Sequence, residues 1–319
     1  MFLGENRQKG IGMGFLLLII TGLIYGAVAS VILFFIDWII GLFGTPTILE
    51  QPFIVDILQR LGLPVESFTI CCVWVALFFL TSIILFQLPP IQGLFLKFKN
   101  ISKPQGDLAV YLNNCWSDVC RRAGVDPDRY TLYVQHSKQI NAFALGHNRV
   151  VVLMGLIDEM NEYELKGILA HELSHLVHRD TTYGMTSAAM LNVYNAIIIA
   201  FELLMLIITT VYNVLRYIPF INILAVVFMA IVIFIRFIVR ILHSLANFGY
   251  VLLAPFGSRI AEYRADRFAH ELGLGQALAS ALAKLTRYGD TEGFINQLVS
   301  DHPPLRKRVA KLYELSQQG

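Results

Sequence analysis

The chain has 319 residues, 56% of them hydrophobic and only 15% charged, with a net charge of +2 at pH 7 and a mean hydropathy of +0.60. Soluble globular proteins carry about 25% charged residues, so this balance argues against a soluble domain and for a membrane protein. The small net charge, with no long basic run, argues against nucleic acid as a partner.

The first apolar run covers residues 14–43, interrupted by Asp37 near its far end. A cleavable signal has an apolar region of about 7–15 residues before a small-residue cleavage site. This run is much longer, so it is expected to remain as a membrane span. About 20 apolar residues cross the hydrocarbon core. Residues 68–88 meet that requirement and stop at Pro89-Pro90, and residues 185–212 and 219–241 follow as a helical hairpin turning at Pro219. Arg7 and Lys9 precede the first span, Lys97, Lys99 and Lys103 follow the second, and Arg236 and Arg240 close the fourth. The loop 44–67 instead holds Glu50, Asp56 and Glu66 against Arg60. The bias of Lys and Arg toward the cytoplasm places both termini, segment 91–184 and tail 242–319 on that side of a cell (plasma) membrane.

Between the second and third spans the pattern turns mixed. Residues 106–123 read as an amphipathic helix ending at Gly124, and 130–136, 141–146 and 149–154 as short strands. A helix is expected over 162–177, and the tail holds helical stretches near 257–272, 276–288 and 304–317. Of the four cysteines, Cys71 and Cys72 lie in an apolar run and Cys115 and Cys120 on the predicted helix. Neither pair has the spacing of a zinc ribbon or a disulfide framework, so they read as small buried residues. Glu202 falls among apolar residues of the third span, where a charge is costly and needs a partner. Arg216, a wet cavity, or a helix that extends beyond the lipid there would each meet that need.

The chemistry centres on Ala170-His171-Glu172-Leu173-Ser174-His175. Two histidines four apart share one face of a helix, as two ligands of a tetrahedral zinc require. Glu172 stands beside them, able to reach a water at the metal without ligating it, which is the His-Glu-x-x-His pattern of metalloproteases. Catalytic zinc takes three protein ligands. Glu262 and Asp266, also four apart, are candidates for a ligand and for the group bonded behind a ligand histidine. Their spacing fits better an acidic pair on a solvated face, balanced by Arg259, Arg264 and Arg267. Asp180 reads either as support for the end of the zinc helix or as an ordinary polar residue at a helix end.

The chain resembles the HtpX-type membrane metalloproteases, relatives of the CAAX prenyl proteases. The matching residues are Asn141-Ala142-Phe143-Ala144-Leu145-Gly146, the His171–His175 segment with Asp180, then Ser258-Arg259, Glu262-Tyr263, Ala265-Asp266, and His302-Pro303-Pro304 with Arg308. They span residue 105 to the end, while the first hundred residues are similar only in holding two spans. Ala261 stands where many members carry an arginine. The resemblance implies that Glu262 is the third ligand of a single Zn2+ and Asp266 its supporting carboxylate. It also implies that His302 lies near the active site as an oxyanion donor. The strand Ala142–Leu145 becomes an edge that holds substrate backbone, with Asn141, Ala142, Phe143 and Ala144 in contact with it.

The expected molecule is therefore membrane α-helical, with four transmembrane helices and a mostly α, α+β cytoplasmic zincin-like metalloprotease domain. Residues 1–90 hold two spans, 91–184 the first part of the catalytic domain, 185–241 the transmembrane hairpin and 242–319 the second part. The expected function is zinc-dependent endopeptidase, with Glu172 as general base and protein or peptide substrates, misfolded membrane proteins among them. An intramembrane protease of the site-two kind fits less well, because Glu162, Glu164, Lys166 and His178-Arg179-Asp180 flank the site with charge. A CAAX prenyl-peptide protease would have more spans. A scaffold with structural zinc would not need Glu172.

Overall fold

Where long apolar stretches enter lipid, the backbone can satisfy its polar groups only within the segment, and the helix is the one-segment solution. The computed structural model describes residues 2–42, 51–219, 221–289 and 303–318. Among them, α1 (Phe2–Gly41), α3 (Ser67–Gln87), α8 (Asp180–Leu215) and α9 (Ile221–Glu271) each contain a stretch long and apolar enough to cross a membrane. The expected break after residue 241 is absent, and the fourth span and the first tail helix form one helix. Residues 242–254 are rich in Leu and Ala, strong helix formers, and the helix runs on through Gly249 and Pro255. Between α1 and α3 lies the short α2 (Pro52–Arg60), and α4 (Pro89–Phe98) follows α3.

The chain divides into two compact units, residues 19–85 with 186–250, and residues 1–18, 86–185 and 251–319. In the first of these, Tyr25, Ile32, Phe79, Tyr194, Phe201 and Val239 pack into a buried cluster. On the outside of the same helices Leu23, Leu80, Leu206 and Ile233 are all largely exposed. A helix apolar on all sides belongs in lipid rather than water. Within this unit Glu202 pairs with Arg236 and, at 3.5 Å, with Arg240. Arg216, one of the alternatives the sequence offered, lies over the ring of Tyr217 instead. Glu202 and Arg236 are equally far from Pro219 in sequence, so an antiparallel hairpin brings them to one level.

The other unit carries a four-stranded sheet of order β1-β2-β4-β3, formed by β1 (Ile101–Ser102), β2 (Thr131–Gln135), β3 (Ala142–Leu145) and β4 (Arg149–Leu153). β2 and β4 are parallel, and β3 pairs antiparallel with β4 at the sheet's edge. β4 is buried on both faces. Val150 and Val152 join the main core, while Val151 and Leu153 pack with Leu96 and Ile101. That double burial explains its valine run. Among the described residues, the unit is completed by α4, the lower part of α9 and five further helices. They are α5 (Gly106–Ala123), α6 (Met154–Glu159), α7 (Glu162–Val177), α10 (Gly275–Gly289) and α11 (Leu305–Gln318). α5 ends where Gly124 takes φ +66°, as the predicted stop requires.

α7 is buried along most of its length and packs closely on α10. Gly167, one turn before His171, permits this, since a Cβ there would meet the backbone of Ala277 and Leu278 well inside contact distance. Gly167→Ala is therefore expected to destabilise this unit by about 1–3 kcal/mol through overpacking, despite alanine's better helix propensity. A thermal unfolding midpoint equal to or above that of the parent chain would contradict the close crossing.

Candidate metal centre

α7 is fixed at its start by a capping box. Asn161 Oδ1 accepts from the Glu164 amide at 2.9 Å, and Glu164 Oε2 accepts from the Asn161 amide at 3.0 Å. Burial pushes the Glu164 carboxyl up, but bonds from Lys284 and Ser280 on α10 outweigh it and hold the group below its ordinary range. At the other end His178 closes the helix and Arg179 adopts φ +63°. A left-handed non-glycine residue costs about 1–3 kcal/mol and is tolerated where surrounding contacts over-determine it. Here it turns the chain straight into α8 and brings Asp180 back beside α7. Asp180 Oδ2 lies 2.9 Å from His175 Nδ1, and its Oδ1 accepts from Arg264.

His171 and His175 present their Nε2 atoms 3.2 Å apart. Glu262, from α9, sets Oε2 3.3 Å from His171 Nε2 and Oε1 3.7 Å from His175 Nε2. These three residues offer ligand atoms that all lie within 4.8 Å of one another. Two ligands on a tetrahedral zinc at about 2.0–2.2 Å stand about 3.3 Å apart, so the donor set fits that ion without rearrangement. His171 Nδ1 lies 3.1 Å from Asp266 Oδ1. Each histidine thus turns one nitrogen to a carboxylate and the other toward the common point, the arrangement that fixes the tautomer of a metal-binding imidazole.

Glu262 and Asp266 are each 4% exposed, so they form no solvated acidic face. What neutralises them is Arg308, itself buried. It makes two bonds to Asp266, at 2.7 and 2.9 Å, and lies 2.7 Å from Glu262 Oε2. Burial and Arg308 both push the His171 pKa down, yet Asp266 and Glu262 outweigh them and raise it to about 9. A proton and a metal ion therefore compete for this ring. Sequence reasoning gave Arg308 only as part of a motif and read Arg264 as a solvated counter-charge. Both lie on stretches rich in other charges, Arg306, Lys307 and Lys311 around Arg308 and Arg259, Arg267 and Glu271 around Arg264, so nothing in the sequence singled them out or named their partners.

Glu172 is buried on α7 beside His171, and burial raises its carboxyl pKa above the ordinary value. Its Oε2 accepts from the amide of Ala144 on β3 at 2.8 Å. This bond joins α7 to the edge strand; Ala142 and Ala144 pack on the core that contains α7, whereas Phe143 packs on the sheet's other face with Leu96, Val151 and Leu153. Asn141 is exposed just before the strand, its carbonyl accepting from the Leu153 amide. Thr181 Oγ1 donates to the Gly146 carbonyl and ties the far end of the strand to the start of α8. His302 lies outside the described residues.

Residues 108–316 match the sequence profile of the family described as Peptidase family M48. A relative called "Protease HtpX homolog" from Paraburkholderia phytofirmans is 28% identical over 237 residues, 63% of this chain and 73% of that protein. The protein of that name from Acidiphilium cryptum is 31% identical over 229 residues, 62% and 71% of the two. "Protease HtpX" of Legionella pneumophila subsp. pneumophila is 37% identical over 84 residues, 25% of this chain and 29% of that protein. Among solved structures, S. mikatae Ste24p is similar in fold, with a TM-score of 0.50 at 18% identity, over 82% of this chain and 60% of that one. The match thus spans less than two thirds of both the Legionella protein and the Ste24p chain.

Proposed function

The chain belongs to peptidase family M48, in its HtpX-type branch, and on that premise we propose that it is a membrane-anchored zinc endopeptidase with Glu172 as its general base. The observation that carries the reading is the common point defined by His171 Nε2, His175 Nε2 and Glu262, with Asp266 and Asp180 behind the two rings. Zinc held there would polarise a peptide carbonyl and lower the pKa of water to about 7.

The chain's own residues do the rest. Asp266 and Asp180 each bond one nitrogen of an imidazole and so orient the other nitrogen inward. Arg308 places a buried positive charge against Glu262 and Asp266. Burial pushes the Asp266 carboxyl up, but His171 and Arg308 outweigh it and hold the group below its ordinary range. Glu172 takes the proton of the attacking water on a carboxylate oxygen and passes it to the leaving amide nitrogen. Burial, by raising its pKa, makes it a better acceptor than a solvated glutamate. A substrate segment adds to the edge of β3 in extended form, its backbone pairing beside Ala142–Ala144 with Asn141 at the end of the strand. His302 is proposed as the donor to the tetrahedral oxyanion. The molecule is proposed to sit in the plasma membrane with termini and site on the cytoplasmic side, and to act in quality control on misfolded membrane proteins.

Purified full-length protein in detergent is expected to hold about one zinc per chain and to cleave casein, with cleavage lost to a chelator and restored by zinc. Metal analysis beside a gel assay reads both. A chain that binds no zinc at micromolar concentration would overturn the site, and zinc-loaded protein inert toward casein but active on a prenylated peptide would replace the substrate class.

A further inference from the structure

Beside Asp266 lies a cleft of about 720 Å³, formed by the end of α5, the lower part of α9 and α11. Arg121, Arg122, Arg264, Arg267 and Lys311 line it, against the carboxylates of Asp266 and Glu271. The charges are poorly balanced. Asp266 is already committed to Arg308 by two bonds. Arg121 and Arg122 share the single carboxylate of Asp118. Lys311 sits 4.3 Å over the ring of Tyr263 rather than against an acid. Arg267 is exposed and has no ion pair among the described residues.

Concave walls with a surplus of one sign focus potential and raise the local concentration of the opposite ion. Guanidinium forks beside an ammonium match an anion with several acceptor oxygens and more than one charge. The volume is that of a site for a small organic molecule rather than a bare ion. We infer that this cleft binds a phosphate-bearing organic anion and that its occupancy is felt at the metal centre through Arg264.

Arg264 lines the cleft, and its guanidinium also holds Asp180, the carboxylate bonded to His175 Nδ1. An anion drawing on Arg264 competes with Asp180 for that guanidinium. His175 is then less firmly oriented, and metal is released sooner. This second part rests on the zinc reading given above, whereas binding in the cleft does not.

The test uses full-length protein in neutral detergent at constant ionic strength, with glycerol phosphate as probe and chloride as control. Calorimetry on both the chelated and the zinc-loaded chain is expected to show binding. The double substitution Arg267→Gln with Lys311→Gln should weaken it on the order of tenfold or more, the loss of two charge-assisted contacts. Arg267→Lys with Lys311→Arg should retain it, which separates charge from folding. Zinc release to a chromogenic chelator should quicken about tenfold with probe bound, as loss of a carboxylate behind a ligand histidine would give. In nanodiscs, faster release in phosphatidylglycerol than in phosphatidylcholine, without added probe, identifies a lipid headgroup as the source. Equal release in the two, with an undiminished response to soluble probe, identifies a free phosphate compound. No binding above the chloride control, or full binding by the double Gln variant, overturns the cleft. Binding with unchanged zinc release overturns the link through Arg264. A chain that binds the probe but no zinc defeats the zinc reading and leaves the cleft standing.

Discussion

Replacing Glu172 with Gln is expected to slow peptide cleavage by about 10²–10⁴-fold while the chain still takes up one zinc. The two side chains have the same shape, and the amide oxygen of Gln can still accept from Ala144, so the tie between α7 and β3 survives. What disappears is the proton acceptor. At about 1.36 kcal/mol per decade, that loss amounts to about 3–5 kcal/mol of transition-state stabilisation. Metal binding should survive because the donors are His171, His175 and Glu262, and none of the contacts behind them involves Glu172. Single-turnover cleavage and metal content, measured on one preparation, check both halves. Undiminished cleavage would remove Glu172 as the base. Loss of zinc would mean that it belongs to the coordination shell or that the substitution disturbs it.

How much of this was legible in the sequence follows from which interactions are local. The limits of α5 and α7 came from periodicity and from Gly124, since helix ends are set within one turn. The valine run of β4 and the short strands around it were equally readable, because alternation and β-branching act along a few residues. The pairing of His171 with His175 needed only the helical repeat. Asp180 was ambiguous because its return to His175 depends on a left-handed Arg179, and turn chemistry gives no signal for an arginine in that conformation. By spacing alone Glu262 and Asp266 looked more like a solvated pair, and only the family resemblance implied a ligand and its support. What decides is burial, and their burial depends on an arginine more than 40 positions later on another helix. For Glu202 the sequence left Arg216, a wet cavity or a helix end beyond the lipid open, whereas a hairpin matches levels across the turn and selects Arg236. Charge patterns show that partners are needed. Only packing says which ones.

Arg308→Met should therefore reveal what holds the site together when metal is withdrawn. Arg308 lies within bonding distance of both Glu262 and Asp266, and all three side chains are buried. Methionine matches the length of arginine's aliphatic stem and is apolar, so it fills most of the space but leaves two carboxylates without their cation. Removing one partner of a buried pair costs about 3–5 kcal/mol, because the remaining charge stays desolvated and uncompensated. With zinc bound, the penalty should shrink, since the ion supplies positive charge to Glu262 and Asp266 keeps its contact with His171 Nδ1. The expected signature is a lowered unfolding temperature in chelator, on the order of 10 °C at about 2–4 °C per kcal/mol. Much of that loss should be recovered on adding zinc, a larger zinc-induced rise than the parent chain shows. Paired melting curves for both proteins, with chelator and with zinc, measure the difference. If Arg308→Met lowers both curves equally, the arginine serves general packing, and the buried carboxylates must owe their tolerance to something else. If the zinc-dependent rise widens, Arg308 is the charge that stands in for the ion before it arrives, and Glu262 can be built into the fold ahead of the metal.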